Sequence, residues 1–337
     1  MRIVRIAIAG FGGVGKATAH LLLSRRPRYC HVYGADVRLV AVCGSRSGNR
    51  SDEGLEEDAF SNLEDGLSGP DFIAQSNAEI LIEAGPSDFR TGGPGLAYLR
   101  SALSAGCDTI VISKGALVHS GRKLRALAEG SGSILKLSGA AAAALPTIDL
   151  VEQSLKGCEV LEVEGILNAT TNYLLDAMVT RGIGFETALR EAQDGGFAEA
   201  DPRNDTEGWD TACKLLILAN FGLGADLAMN DLAVEGIQTV TSERIAAFRE
   251  QGLVPKLIGH FSRSEKGIVA GVGIRSYPLS HPFAQVRGKD KAIRIVTDAM
   301  GETLAMGSGT EPLATAAAAL KDLEHILAAR SALSGFR

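Results

Sequence analysis

The sequence predicts an α/β protein, with a doubly wound parallel sheet first and a second, α+β domain after it. Three observations carry that prediction. Short β-branched runs alternate with helical patterns from Ile3 to Ala144, as expected for a parallel sheet covered by helices. The first run ends in a glycine-rich turn, Gly10-Phe11-Gly12-Gly13-Val14-Gly15. From Val151 the pattern changes to strands and helices arranged around an acidic loop. A length of 337 residues accommodates two domains.

Ile3 to Ala9 reads as a buried strand, and a helix follows from about Lys16 to Ser24. Between them, Gly10 allows a tight turn and Gly12 lets the backbone approach a pyrophosphate. Gly15 lets helix and strand pack closely. The helix N-terminus offers N–H groups and a positive dipole end to phosphates. A purely structural glycine loop is the bland alternative. The position directly between strand and helix favours a Rossmann-type domain in which Gly10, Phe11, Gly12, Gly13, Val14 and Gly15 hold a dinucleotide.

Val37 to Cys43 is the second strand, and Gly44-Ser45-Arg46-Ser47 follows it. No acid stands there for the ribose hydroxyls, whereas Ser45 and Arg46 suit a 2′-phosphate. NADP is therefore expected over NAD; the alternative has Arg46 on the adenine or in solvent. Arg25, Arg26 and Arg28 read as a helix end, and Ser51 to Gly69 as a solvated helix and loop.

Ile80 to Glu83 is a buried strand leading into Ala84-Gly85-Pro86-Ser87, before a helix from Leu96 to Ala105. The strand Thr109 to Ile112 ends in Ser113-Lys114-Gly115. That puts Lys114 at the carboxyl end of a strand, where open α/β sheets bind ligands; the alternative is a loop-surface lysine. Ile134 to Leu137 is a further strand, followed by Gly139 and the run Ala140 to Ala144.

In the second half, Val160 to Leu167 has strand character. The polar block Asn168 to Tyr173 then caps a helix or binds a substrate. Helices are expected from Asn172 to Arg181 and from Phe185 to Gln193. Asp194, Glu199, Asp201, Asp205, Glu207 and Asp210 then crowd a loop that runs straight into the apolar stretch Leu215-Leu216-Ile217-Leu218-Ala219. Asp210 and Lys214 share a helix face. Taken alone they read as a surface ion pair worth about 0.3–0.5 kcal/mol. The apolar edge suggests instead a desolvated lysine fit for acid–base work. Gly267 to Ser276, Ala292 to Met300 and Thr303 to Met306 supply strands of a mixed sheet, and Thr315 to Arg330 a closing helix.

A net charge of −6 argues against nucleic acid as the main partner. Five scattered Cys without CxxC spacing fit neither a disulfide framework nor a zinc site, and Cys213 reads as packing. No metal site is expected from the side chains. The N-terminus lacks a signal-peptide pattern and no apolar run reaches membrane-spanning length, so a cytoplasmic protein with no membrane partner is expected.

Taken together, GILNATTNYLL, GGFAEADPRNDTEGWDTACKLLILA, HPFAQVRG and Ser113-Lys114-Gly115 stand in the order found in homoserine dehydrogenases. The chain resembles that family over nearly its whole length, in its short form without an appended regulatory domain. The resemblance implies interconversion of aspartate-4-semialdehyde and homoserine with NAD(P), in the synthesis of threonine, methionine and isoleucine. It implies Lys214 as the acid/base, with Asp210 beside it. It places Glu199 and Asp205 on the substrate ammonium, Lys114 on the substrate carboxylate or in proton transfer, and Thr170 and Asn168 in the pocket. Pro86 and Ser113 join Ser45 and Arg46 among the expected cofactor contacts. The implied domains are 1–138 for the dinucleotide, 139–304 for substrate and dimerisation, and 305–337 as a C-terminal helix returning to the first. A homodimer and a monovalent cation near Ala141–Ala143 are also implied. The chain departs from the family pattern at Ala169, Ser113, Ala141–Ala144 and Ser308–Glu311, where the family favours Gly, Asn and two Gly-rich segments.

Overall fold

A computed structural model describes residues 1–69, 71–309 and 311–334. Thr310, within the departing segment Ser308–Glu311, and residues 335–337 of the expected C-terminal segment lie outside the described residues, as does Pro70. The chain forms two compact units, Met1–Ala144 with Thr310–Arg337, and Leu145–Gly309.

The first unit is built on β1 (Arg2–Ala9), β2 (Ala35–Cys43), β3 (Ser47–Arg50), β4 (Glu64–Asp65), β5 (Ile80–Glu83), β6 (Asp108–Val111) and β7 (Leu135–Lys136), in the order β4-β3-β2-β1-β5-β6-β7. The β2-β1-β5-β6-β7 portion is parallel. Strand order reverses between β1 and β5, and such a switch point opens a ligand crevice at the strands' carboxyl ends. The glycine turn after β1 and the turn Ala84–Ser87 after β5 both lie there.

Ile6 and Ile8 of β1, Leu39 of β2 and Ile82 of β5 pack with Leu22 and Tyr29 of the helix Gly13–Tyr33. The same core takes Leu320, Leu323 and Leu327 of the last helix, Leu313–Ser334. Their helical spacing turns one stripe inward, and each buried leucine contributes about 1.5–3 kcal/mol.

Two expectations are corrected here. The first helix does not stop at Ser24 but continues through Pro27 to Tyr33 and ends at the left-handed Gly34. Burial of Tyr29 beyond the proline offsets a helix-interior cost of about 3 kcal/mol. Arg26 and Arg28 thus lie inside the helix, paired with Glu56 at 2.7 Å and Glu324 at 2.8 Å. The stretch from Ser51 to Gly69 is not a solvated helix. It holds a 3-10 turn, Glu57–Ser61, and the edge strand β4, and it buries Leu55 and Phe60 in the core.

The run of alanines has an unusual backbone. Ala142 and Ala143 are left-handed, with φ of +76° and +45°, which costs an L-residue about 1–2 kcal/mol. Ala142→Gly removes that cost and adds about 0.4–1 kcal/mol of unfolded-state entropy loss. A net stabilisation of about 0.5 kcal/mol is expected, measured as a raised Tm; a lowered Tm would contradict it.

The second unit is a six-stranded sheet made of β8 (Val160–Ile166), β9 (Ala233–Val234), β10 (Leu253–Ser264), β11 (Gly267–Pro278), β12 (Lys291–Thr297) and β13 (Gly301–Gly307), in the order β13-β12-β8-β10-β11-β9. The sequence reading places no strand over β10, because Pro255, Lys256 and Gly259 interrupt its apolar run. Pro255 is tolerated because β8 pairs with β10 only from Gly259 to Ser262, leaving Pro255 against β11 alone. The helix Trp209–Ile217 packs on one face, with Thr211 Cγ2 near Gly259. On the other face Glu164 accepts from Arg275 and from Tyr277, the latter at 3.1 Å, and pairs with Arg294 at 3.4 Å. Among the described residues no helix is long and apolar enough to cross a membrane.

Candidate active site

β8 runs through Leu167 into Asn168, which caps the helix Ala169–Arg181. Its Oδ1 accepts from the Thr171 amide at 2.9 Å. That cap fixes the rest of the side chain: Nδ2 donates to Asp205 Oδ1 at 2.7 Å and to Asp210 Oδ2 at 2.8 Å. Asp205 lies on the short helix Arg203–Thr206. Asp210 lies in the first turn of Trp209–Ile217, entered through the left-handed Gly208.

One turn later, Lys214 Nζ donates to Asp210 Oδ2 at 2.5 Å and to the Leu167 carbonyl at 3.0 Å. Side-chain exposures of 14% for Lys214 and 7% for Asp210 correct the alternative of a solvated surface pair. Thr170 donates to the Phe197 carbonyl at 3.2 Å and also hydrogen-bonds Asp205. Burial, and secondarily the charge of Asp210, raise the Asp205 carboxyl above the ordinary aspartate value.

Thus Asn168, Thr170, Asp205, Asp210 and Lys214 form one connected cluster. Glu199 is not bonded into it by any described contact; it is exposed on the loop, where its backbone carbonyl accepts from Gln193. Asp201 pairs with Arg203, and Glu207 accepts from the Trp209 indole.

In the first unit, Gly10 has φ +98°, and a Cβ there would lie 2.4 Å from the backbone of Ala84. A Cβ on Gly15 would lie 2.0 Å from the Gly10 carbonyl oxygen. Gly12 and Gly13 face open space, with nothing within 4 Å. This is the geometry of a cradle: two glycines hold the turn shut and two leave room above the helix N-terminus for phosphates. The Phe11 ring turns away to pack edge-on against Phe60 at 5.3 Å, and Val14 packs against the core. Ser45 and Arg46 are exposed on the turn after β2, and Pro86 is exposed after β5. Ser113 is buried, and the Lys114 amide donates to Ser87 Oγ at 3.0 Å.

Two functional-looking residues escape sequence reasoning. Lys256 is 0% exposed, with Nζ at 2.8 Å from Asn172 Oδ1 and 2.5 Å from the Val286 carbonyl. Burial pushes its ammonium down to about 8. Asn172 Nδ2 in turn holds the carbonyls of Gly288 and Asp290 at 3.0 and 3.1 Å. A lysine inside an apolar strand was the available signal. Glu83 is the other, a lone acid at the end of a buried strand.

A family model described as "Homoserine dehydrogenase" matches residues 146–323, and one described as "Homoserine dehydrogenase, NAD binding domain" matches residues 10–137. A homoserine dehydrogenase of Methanocaldococcus jannaschii is 32% identical over 95% of this chain and 98% of its own length. An NAD(+)-dependent homoserine dehydrogenase of Pseudomonas canavaninivorans is 32% identical over 96% of each. The crystal structure of a homoserine dehydrogenase from Thiobacillus denitrificans superposes with a TM-score of 0.87 at 27% identity, over 98% of this chain and 75% of that one.

Proposed function

The chain belongs to the homoserine dehydrogenase family, a family of NAD-binding oxidoreductases, and from that premise we propose that it interconverts L-homoserine and L-aspartate-4-semialdehyde with NADP. The observation that carries this reading is the buried Asp210–Lys214 pair beside Asp205. The nicotinamide cofactor, when bound, accepts hydride from the alcohol carbon or returns it to the aldehyde.

The remaining chemistry falls to the chain. In oxidation the substrate hydroxyl must lose a proton, and in reduction the forming alkoxide must gain one. Lys214 does this at its Nζ, and Asp210 holds that nitrogen in place. As an ammonium, Lys214 also stabilises the developing oxyanion. Asp205, with Glu199 from the loop, takes the substrate ammonium by charge-assisted hydrogen bonds. Lys114 takes the substrate carboxylate or assists proton transfer, and Thr170 and Asn168 shape the pocket.

The amides of Gly12–Gly15 hold the pyrophosphate, and Ser45 and Arg46 the 2′-phosphate. A homodimer through the second unit, a cytoplasmic location and a role in threonine and methionine synthesis complete the reading.

Steady-state oxidation of homoserine with each cofactor tests it. Turnover with NADP is expected. Arg46→Ala should weaken NADP by about 1.5–3 kcal/mol, the worth of hydrogen bonds to a charged group, or roughly ten- to hundredfold, and NAD far less. Absent turnover in protein that binds NADPH would end the main reading. Equal losses for both cofactors would end the 2′-phosphate assignment.

A further inference from the structure

Glu83 closes β5 and is only 1% exposed, an unusual place for a carboxyl group. Oε2 accepts from the Ser113 hydroxyl at 2.5 Å, and the carboxylate also accepts from the Ser113 amide. Oε1 accepts from the Gly85 amide at 2.8 Å. The surroundings are shaped around it. A Cβ on Gly95, in the first turn of the helix Gly93–Ser104, would come within 2.5 Å of Oε1, and one on Gly85 within 2.8 Å. The positive end of that helix favours the charged form. Burial works in the opposite direction and raises the carboxyl above the ordinary glutamate value.

The two turns that Glu83 joins are the ones after β5 and β6. They are tied a second time by the bond from the Lys114 amide to Ser87 Oγ, at 3.0 Å. They also touch through backbone: a Cβ on Gly115 would lie 2.5 Å from the Asp88 carbonyl oxygen. Lys114 therefore hangs from a turn whose preceding residue is pinned by a buried carboxylate. The family-typical Asn at position 113 is a serine here, and its hydroxyl makes that pin.

We propose that Glu83 is a positioning residue for the reaction, acting through Ser113 to set the backbone that presents Lys114. This rests on the assignment of Lys114 to the substrate. Glu83→Gln keeps the shape but sets its NH2 against the donors of one turn or the other, Gly85 on one side or Ser113 on the other, and so loosens the pin between them.

The test is a double-mutant cycle of Glu83→Gln with Lys114→Ala, read as kcat and KM for homoserine, with Tm and NADPH affinity by fluorescence measured on all four proteins. Misplacing a reacting group lowers turnover by about ten- to hundredfold. Glu83→Gln should show that loss in kcat when Lys114 is present and less than about twofold when it is absent, the non-additivity of one shared function. The fall in Tm should be the same in both backgrounds. Equal factors of kcat loss in both backgrounds would overturn the inference, as would unchanged kcat in Glu83→Gln. If Lys114→Ala alone keeps full turnover, the role of Lys114 falls and this inference with it. If Lys114→Ala loses turnover and Glu83→Gln multiplies that loss, only the inference falls. Should Glu83→Gln not fold, Ser113→Ala, which deletes the hydroxyl half of the pin, takes its place in the cycle with the same two outcomes.

Discussion

Lys214→Ala is expected to lower kcat for homoserine oxidation by about 10²–10⁴-fold, the usual worth of a positioned acid or base, while NADPH affinity stays unchanged. An ammonium has three donors; two of those on Lys214 reach Asp210 and the Leu167 carbonyl, and the third is available to a substrate oxygen. Arginine should not rescue activity, because a guanidinium does not give up its proton in this pH range. Truncation also removes one of the donors to the buried Asp210, so Tm must be followed alongside. Lys214→Gln keeps a donor near Asp210 and separates lost proton transfer from lost packing. Wild-type kcat in either folded variant would remove Lys214 from the chemistry.

The second large effect is a contrast inside the glycine turn. Gly15→Ala drives a Cβ to 2.0 Å from the Gly10 carbonyl oxygen, and overpacking of this kind costs about 1–3 kcal/mol of stability. Gly12 has φ −84° and nothing within 4 Å of its absent Cβ, so Gly12→Val should leave Tm where it is. A phosphate seated in that space would meet the new side chain. The same overpacking cost of about 1–3 kcal/mol then appears in binding, as roughly a ten- to hundredfold rise in the Kd for NADPH. Stability and affinity should thus separate within one loop. Gly12→Val binding NADPH as tightly as the wild type would mean that the cradle is not where the pyrophosphate sits.

Much of the first unit was legible because its signals are local. β1, β2 and β5 each carry a continuous apolar run, Ile6–Ala9, Leu39–Cys43 and Ile80–Ile82, and a parallel sheet buries both faces of such strands. The glycine turn needs only sequence adjacency to be recognised. What escaped depends on partners far along the chain. The helix after β1 survives Pro27 through packing on residues some 300 positions later, an interaction visible in Arg28 with Glu324. β4 is a short edge strand and β3 its short neighbour, both rich in polar residues, which period-two patterning does not flag. β10 hides behind Pro255, Lys256 and Gly259, each excused by its place in the sheet.

The acidic loop showed the same division. The spacing of Asp210 and Lys214 put them on one face, but their burial is a tertiary fact. Asn168 was readable as a cap; its second task, joining Asp205 to Asp210, depends on a loop 37 residues away. Spacing alone does not rank the six carboxylates; the family resemblance singled out Glu199, Asp205 and Asp210, and folding leaves Asp205 partly buried and Asp210 buried but Glu199 exposed with Asp201.

The discontinuity of the first unit bears on how the chain is made. Its core is completed by Leu320, Leu323 and Leu327, and Arg330 clamps Asp108 through two bonds, at 2.9 and 2.5 Å. The three leucines and Arg330 follow the entire second unit in sequence. During synthesis at about 5–20 residues per second, the nucleotide-binding half must wait on the order of ten seconds or more with one side of its core uncovered. The second unit, contiguous from Leu145 to Gly309, has no such delay. The half that begins first is therefore the half that finishes last, and any ribosome that stops short of the final helix leaves a complete second unit attached to an unfinished dinucleotide fold.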